Sequence, residues 1–237
     1  MRYFLRFAYI GTDFHGSQTQ PNGVTVQETM EQALATILRQ PVSLTFAGRT
    51  DAGVHAKKMY AHMDIDVLPD NLIGRLNSLL PDSIAVYEIL QVSNDMHARF
   101  SALSRTYEYH ITEQKNPFST LMATRVAPGL DFEAMNDAAQ LLLGRHDFAS
   151  FCRVHTDVKT TFCTVTEAYW KDGVFTITAD RFLRNMVRAI VGTLFDVGRG
   201  KLSIEGFQSI IDAKSRAAAG QSAPPQGLFL THIKYDI

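Results

Sequence analysis

The stretch FCTVTEAYWKDGVFTITA, residues 162–179, contains two runs of β-branched and aromatic residues on either side of Lys171-Asp172-Gly173. An Asp-Gly pair between two such runs is a strong hairpin signal, because both residues tolerate the positive φ angles of a tight turn. We therefore predict two antiparallel strands, at residues 162–170 and 174–179. The hairpin indicates that this half of the chain contains a mainly antiparallel sheet.

Strand and helix patterns alternate on both sides of the hairpin. In the second half we predict strands at residues 105–112 and 228–235, a helix capped by Asp131 that runs to residue 144, a helix at 181–197, and a short helix capped by Ser203. In the first half we predict strands at residues 3–9, 42–47, 59–67 and 84–92, a helix opened by the capping box of Thr25 and Glu28, and a helix capped by Asp70.

Each half therefore approximates the split βαβ order of a ferredoxin-like unit. We predict an α+β fold made of two ferredoxin-like or RRM-like subdomains with mainly antiparallel sheets. The N-terminal subdomain is expected at residues 1–98 and the C-terminal subdomain at residues 99–237. Such sheets often bind RNA, but a fold alone does not establish a function.

The composition is that of a globular protein with almost no net charge. Hydrophobic residues make up 46% of the 237 positions and charged residues 20%, which excludes a disordered or collagen-like chain. The 23 basic and 24 acidic residues leave a net charge of −1, so any nucleic-acid site has to be a local basic patch. Two cysteines indicate buried thiols in a reducing compartment. No apolar run reaches the length of about 18 residues that a membrane span needs, so we expect a cytoplasmic protein.

The segment GRTDAGVH, residues 48–55, is the densest candidate for a chemical site. It follows a predicted short strand, and its two glycines permit backbone shapes that other residues avoid. Arg49 lies close enough in sequence to favour the ionised form of Asp51, which could then serve as a nucleophile or a base. The alternative is a polar loop in which Asp51 only caps a turn.

Three arginines at helical spacing form a second candidate. Arg181, Arg184 and Arg188 recur at steps of three and four, so they would share one face of the predicted helix 181–197. Such a stripe suggests contacts with RNA phosphates, and the alternative is a solvated face on which Asp180 pairs with Arg184. Arg188 lies among apolar neighbours, so we expect it to be partly buried and to need a carboxylate partner.

Basic and aromatic residues are interleaved in HARFS, residues 97–101, and RTYEY, residues 105–109. Tyr107 and Tyr109 point to the same face of the predicted strand, where they could stack on bases. An ordinary half-buried strand would have the same pattern.

His62, Asp64 and Asp66 come closest to a set of metal ligands. They alternate with apolar residues on a predicted strand, and this pattern is typical of a face that points to solvent. The sequence therefore favours no metal site. It also contains no P-loop or dinucleotide fingerprint.

Taken together, these segments resemble the tRNA pseudouridine synthase A family. The matches follow the family order over essentially the whole chain: GRTDAGVH at 48–55, HARFSA at 97–102, the Arg105-x-Tyr107-x-Tyr109 strand, MVRxIVG at 186–192 and GLxL at 227–230. One position departs from the pattern. The family usually has Gly-Trp-Gln where this chain has Gly16-Ser17-Gln18, a difference that bears on the substrate contacts of that loop.

The resemblance implies a pseudouridine synthase fold and the isomerisation of uridine to pseudouridine at positions 38 to 40 of the tRNA anticodon stem-loop. It implies no cofactor and no metal, and a homodimer whose two subunits jointly hold one tRNA. Asp51 would be the catalytic aspartate, attacking ribose C1′ or uracil C6 or assisting elimination. Tyr107 would cover the flipped base, Arg188 would pair with Asp51, and Arg49 would help to extrude the nucleotide.

Two other functions remain open from the residues alone. A non-catalytic RNA-binding module would need the aromatic and basic residues but not Asp51. A metal-assisted phosphoesterase would depend on His62, Asp64 and Asp66, and their alternating pattern argues against it.

Overall fold

The computed structural model describes residues 1–153 and 159–236. Its strands are β1 (Arg2–Tyr9), β2 (Thr45–Phe46), β3 (His55–Asp64), β4 (Ile84–Val92), β5 (Ser104–Thr112), β6 (Thr124–Arg125), β7 (Gly144–Asp147), β8 (Phe162–Lys171), β9 (Val174–Ala179) and β10 (Leu228–Lys234). Its α-helices are α1 (Val26–Leu38), α2 (Leu72–Leu79), α3 (Phe132–Gln140), α4 (Met186–Gly198) and α5 (Ile204–Ala213). The chain divides into a first unit, Met1–Leu103 with Phe229–Ile237, and a second unit, Ser104–Leu228.

The first unit is built on a sheet with the strand order β4-β1-β3-β10. Strand β1 is antiparallel to both β3 and β4, and β10 runs parallel to β3 with Phe229 opposite His55. The short β2 pairs antiparallel with β3. Phe4, Leu5 and Phe7 are fully buried, although neighbouring residues of a strand point to opposite faces. Strand β1 therefore contributes to the core on both of its faces.

Helix α1 begins where the capping box predicts. The hydroxyl of Thr25 accepts a hydrogen bond from the Glu28 N–H at 3.3 Å, which satisfies one of the free N–H groups of the first turn. The apolar stripe of the helix is buried and includes Met30 and Leu34. The helix ends at Leu38, three residues before Pro41, a residue that cannot continue a helix.

The second unit is built on a sheet with the order β5-β9-β8-β7, in which all neighbours are antiparallel. The predicted hairpin between β8 and β9 is confirmed. Its turn residues Asp172 and Gly173 have φ angles of 51° and 75°, the pair of positive values that a type I′ turn requires. Helices α3, α4 and α5 complete the unit, and the α+β class with mainly antiparallel sheets is as predicted.

The boundaries of α2 and α3 differ from the prediction. Asn71, in the left-handed conformation with a φ of 51°, precedes α2, so Asp70 is not its cap. Helix α3 ends at Gln140, whereas the prediction continued it to Gly144. Residues 144–147 form the edge strand β7 because they pair with β8, a long-range contact that the helical pattern does not reveal.

The division of the chain also differs from the predicted subdomains at 1–98 and 99–237. The first unit continues to Leu103, and residues 229–237 belong to it and not to the second unit. The cause is the pairing of β10 with β3, which brings the last strand back to the first sheet.

Both cysteines are buried and form no disulfide with each other, as predicted. Burial raises the pKa of Cys163 to about 12, so this thiol is protonated and unreactive at neutral pH. In the part of the chain that the structure describes, no helix combines the length and the apolar character needed to cross a bilayer.

Candidate active site

Asp51 lies in the loop that joins β2 to β3. The Val54 N–H donates to the carbonyl oxygen of Asp51 at 3.1 Å, and Gly53 has a left-handed φ of 78° that a side chain would disfavour. The Asp51 side chain is half-buried, whereas Arg49 is exposed. The sequence thus folds into a tight turn that presents a carboxylate just before the long strand β3.

Thr50, the residue before Asp51, is hydrogen-bonded through all three of its polar atoms. Its N–H donates to Ser17 Oγ at 2.8 Å, and its carbonyl oxygen accepts from the Ser17 N–H at 3.1 Å. Its hydroxyl oxygen lies 2.8 Å from the hydroxyl oxygen of Tyr9. Ser17 and Thr50 are 0% and 7% exposed. The backbone that carries Asp51 is therefore fixed from one side by a separate part of the chain.

A second contact holds the other end of the Asp51 loop. The Gly11 N–H donates to Nδ1 of His55 at 3.0 Å, so that nitrogen carries no proton and the imidazole is the neutral Nε2–H tautomer. A side chain at residue 11 would overlap the carbonyl oxygen of Val54. The His55 ring also stacks on Phe229, with 4.6 Å between ring centroids. Both ends of the loop are thus held by buried groups.

A half-buried carboxylate on such a turn can act as a nucleophile, accept a proton or stabilise positive charge that develops on a sugar carbon. In each role it is more effective when it is already in place, because reorientation during the reaction costs free energy. The contacts around Thr50 and His55 fix the backbone from which the carboxylate projects.

The two tyrosines of β5 have different surroundings. Tyr107 is 9% exposed and makes an edge-to-face contact with Phe182, with 5.0 Å between ring centroids. Tyr109 is fully buried, and its hydroxyl donates to the Pro224 carbonyl oxygen at 2.8 Å and lies 2.6 Å from the Thr124 hydroxyl. Burial raises the pKa of Tyr109 to about 12. Tyr109 is therefore a neutral core residue, and the prediction that it could stack on a base is wrong.

Arg188 is on α4 and is half-buried, as predicted. Its Nε donates to the Ala223 carbonyl oxygen at 2.7 Å, and the Ala223 N–H donates to the Arg188 carbonyl oxygen at 2.9 Å. Nearby, the side-chain amide of Asn185 donates to the hydroxyl of Ser222 at 2.6 Å. Arg188 thus has a defined orientation in the second unit, set by the segment before β10.

Arg181 and Arg184 are not on α4, so the predicted helical stripe of three arginines is wrong. Asn185, directly before α4, has a left-handed φ of 67°. A right-handed helix that began at residue 181 could not contain a residue in this conformation. The residues before it are tied to the sheet, because Asp180 exchanges hydrogen bonds with the backbone of Thr164 at 3.1 and 2.8 Å. Arg184 is exposed and Arg181 partly exposed in this connecting segment.

His62 does not face solvent, contrary to the prediction. It is 6% exposed, its Nδ1 accepts from the Ala98 N–H at 3.1 Å, and its ring packs edge-on against His97 with centroids 4.7 Å apart. Residues after β4 cover this face of β3, which strand periodicity cannot reveal. Both carboxylate oxygens of Asp64 bind Arg2, at 2.9 and 2.7 Å. Within residues 1–153 and 159–236, no three His, Cys, Asp or Glu side chains are grouped as metal ligands.

The sequence did not reveal the residues that fix the Asp51 loop. Ser17 was notable only as a departure from the family pattern, with an expected effect on substrate contacts, yet its side chain is fully buried against Thr50. Tyr9 is only the last residue of the strand predicted at residues 3–9. Their contacts with Thr50 join residues 33 and 41 positions apart, and no local pattern predicts contacts at that separation.

Comparisons with known proteins find relatives along the whole chain. A family described as tRNA pseudouridine synthase matches residues 138–236. The tRNA pseudouridine synthase A of Porphyromonas gingivalis is 53% identical over 99% of this chain and 97% of its own length, and that of Bacteroides thetaiotaomicron is 52% identical over 99% and 90%. The tRNA pseudouridine synthase A of Bacillus subtilis is 39% identical over the whole of both chains. The chain therefore belongs to the tRNA pseudouridine synthase A family.

Proposed function

We propose that the protein isomerises uridine to pseudouridine in tRNA, at positions 38 to 40 of the anticodon stem-loop, with Asp51 as the catalytic residue. The observation that carries this proposal is the half-buried Asp51 on a turn whose two ends are held by buried hydrogen bonds. Membership of the family supports the choice of reaction.

The reaction needs a positioned carboxylate but no added reactant. The bond between uracil N1 and ribose C1′ breaks, the uracil turns while it stays bound, and a bond forms between C5 and C1′. The proton that C5 loses is balanced by the proton that N1 gains, so the atoms and electrons of uridine are all retained. The chemistry therefore requires neither an oxidant nor a reductant.

Asp51 can serve this reaction by three routes. Its carboxylate can attack C1′, add to C6 of the uracil, or assist an elimination from the ribose. All three routes need the ionised form. In the attack on C1′ the fixed negative charge also stabilises the sugar carbon as it becomes electron-deficient. The neutral amide of asparagine cannot replace the carboxylate in any of them.

Tyr107 and Arg188 are assigned to the bound uridine and to the carboxylate. We place Tyr107 over the flipped base, where its ring can stack and its hydroxyl can take part in removing the C5 proton. Its contact with Phe182 supports the ring from the side. We assign Arg188 to Asp51, because the planar guanidinium is suited to orient a carboxylate through charge-assisted hydrogen bonds.

The remaining arginines are assigned to the RNA. A base inside a stem cannot be reached by the enzyme until it is extruded. Arg49 is exposed in the Asp51 loop, where it can help to push out the target nucleotide and fill its place. We assign Arg181 and Arg184 to backbone phosphates, because both retain exposure in an irregular segment.

The protein is also proposed to be a cytoplasmic homodimer in which both subunits hold one tRNA. Light scattering over micromolar concentrations should give the mass of two chains, and a mass of one chain throughout would contradict the dimer.

The direct test is to map pseudouridine in a transcribed tRNA after incubation with the purified protein. The tRNA should carry uridine at one of positions 38 to 40, and a matched transcript with cytidine there serves as the control. We expect pseudouridine at the uridine alone. Three such transcripts are needed, one for each of positions 38, 39 and 40. Unmodified uridine in all three, in tRNA that binds the protein, would contradict the proposal and favour an RNA-binding module without catalysis.

A further inference from the structure

Ser17 occupies the position where the family usually has tryptophan, and its surroundings differ from those of a substrate-binding side chain. It is 0% exposed. Its N–H and its hydroxyl oxygen bind the carbonyl oxygen and the N–H of the same residue, Thr50, at 3.1 and 2.8 Å. A side chain enclosed in this way cannot touch RNA.

The pair of hydrogen bonds joins the Asp51 loop to a rigid support. The carbonyl oxygen of Ser17 accepts from the Gln27 N–H at 3.0 Å, and that of Gly16 accepts from the Val26 N–H at 3.3 Å. Both donors belong to the first turn of α1, whose N–H groups have no partners within the helix. Ser17 therefore links the beginning of a capped helix to the residue before the proposed catalytic aspartate.

The backbone around Ser17 is also shaped for close approach. Gly16 has a left-handed φ of 94°, and a Cβ at that position would lie only 2.9 Å from the Thr50 carbonyl oxygen. Glycine followed by a small hydroxyl residue thus allows the two segments to meet at hydrogen-bonding distance. On the other side of Thr50, the Tyr9 hydroxyl completes the set of contacts at 2.8 Å.

We propose that Ser17 is a positioning residue for catalysis in this chain: its hydroxyl, acting through Thr50, sets the orientation of the Asp51 carboxylate. The inference depends on the proposed catalytic role of Asp51. Ser17→Ala leaves the Thr50 N–H without its partner in a buried place, and the loop shifts to find another. A shift of about 1 Å in a reacting group can slow a reaction by about 100-fold. Arg181 and Arg184, which we assign to backbone phosphates, lie outside this loop, so most of the affinity for tRNA should remain.

The test compares Ser17→Ala, Tyr9→Phe and a matched control, Ser150→Ala. Ser150 is also 0% exposed, and its hydroxyl also accepts a backbone N–H, from Ser215 at 2.9 Å, but it belongs to the second unit. Single-turnover rates at saturating tRNA and dissociation constants are measured for each variant. We expect Ser17→Ala to lower the rate by about 10- to 100-fold with a change in affinity below about threefold, and Ser150→Ala to leave both unchanged.

Tyr9→Phe keeps the ring and removes only the second contact to Thr50, so a smaller loss of rate, again at constant affinity, is expected. If Ser17→Ala does not fold, Tyr9→Phe decides the question by the same criterion. A normal rate in the folded Ser17→Ala protein, or an equal loss in the Ser150→Ala control, would overturn the positioning role.

Asp51→Asn, assayed in parallel, distinguishes a failure of the positioning role of Ser17 from a failure of the proposed function. An inactive Asp51→Asn together with a fully active Ser17→Ala would reject the role of Ser17 alone. An active Asp51→Asn would reject the catalytic assignment, and with it the reason to position this loop.

Discussion

Acid should destabilise the protein through His62, and His62→Asn should remove that part of the pH dependence. Burial lowers the pKa of His62 to about 4, and the positive charge of Arg2 adds to the effect. The pKa of histidine in an unfolded chain is about 6.5. Between these two pKa values, His62 is protonated in the unfolded chain but neutral in the folded protein. The free energy of unfolding is independent of this group above about pH 7 and falls as the pH decreases from 6.5 towards 4.

The size of the effect follows from the two pKa values. Between pH 7.5 and pH 5 the linkage amounts to about 2 kcal/mol, a large fraction of the stability of an ordinary domain. The charged and titratable groups that face His62 are Arg2, Asp64 and His97. Arg2 and Asp64 form an ion pair that lowers the pKa of Asp64, so both stay charged over this range. The pKa of His97 is also lowered by burial, and its contribution is present in parent and variant alike.

Urea unfolding followed by circular dichroism at pH 7.5 and pH 5.0 measures this linkage. His62→Asn is the informative variant because its side-chain oxygen can take the place of Nδ1 as the acceptor for the Ala98 N–H, which lies at 3.1 Å. On acidification the parent should lose about 2 kcal/mol more than the variant. Equal losses in the two proteins would refute the claim that His62 is buried in its neutral form.

Two further predictions concern the arginines of the second unit. Replacing Arg181 and Arg184 together by alanine should weaken tRNA binding and flatten the slope of log affinity against log salt by about one to two. As a control, replacing the exposed Lys171 and Lys201 by alanine removes the same charge and should leave the slope unchanged. A parental slope in the arginine variant would mean that neither side chain contacts phosphate. Arg188→Ala should reduce turnover more than affinity, because the proposed catalytic carboxylate would lose the cation that we propose to orient it. Normal turnover at saturation with weaker binding at every salt concentration would instead identify Arg188 as an RNA contact.

The parts of the fold that depend on neighbouring residues could be predicted from the sequence. The turn at Asp172 and Gly173 and the cap at Thr25 are local, since a few adjacent side chains decide each of them. Distant pairing decides the rest. Strand β7 forms because β8 lies beside it, and β10 joins the first unit because it pairs with β3.

The candidate site likewise has a local part that the sequence predicts and a part, made by distant contacts, that it does not. The GRTDAGVH segment indicated a loop with a carboxylate, and the structure places Asp51 half-buried on a turn before β3. The prediction of an arginine stripe was wrong because helical spacing does not reveal that α4 begins only after Asn185. The contacts of Ser17 and Tyr9 with Thr50 could not be predicted, because they form only when folding brings three distant segments of the chain together.

The central claim is that Asp51 performs the chemistry, and the single-turnover rate of Asp51→Asn tests it most directly. Asparagine has nearly the same volume as aspartate, and the turn is closed by the main-chain oxygen of residue 51, which the substitution retains. The variant should fold and bind anticodon stem-loop RNA within a few-fold of the parent, and Asp82→Asn at an exposed position serves as the control. We predict that pseudouridine formation by Asp51→Asn slows by about 10⁴-fold or more, the scale seen when an essential catalytic group is removed. Substantial pseudouridine formation by the folded variant would contradict the account.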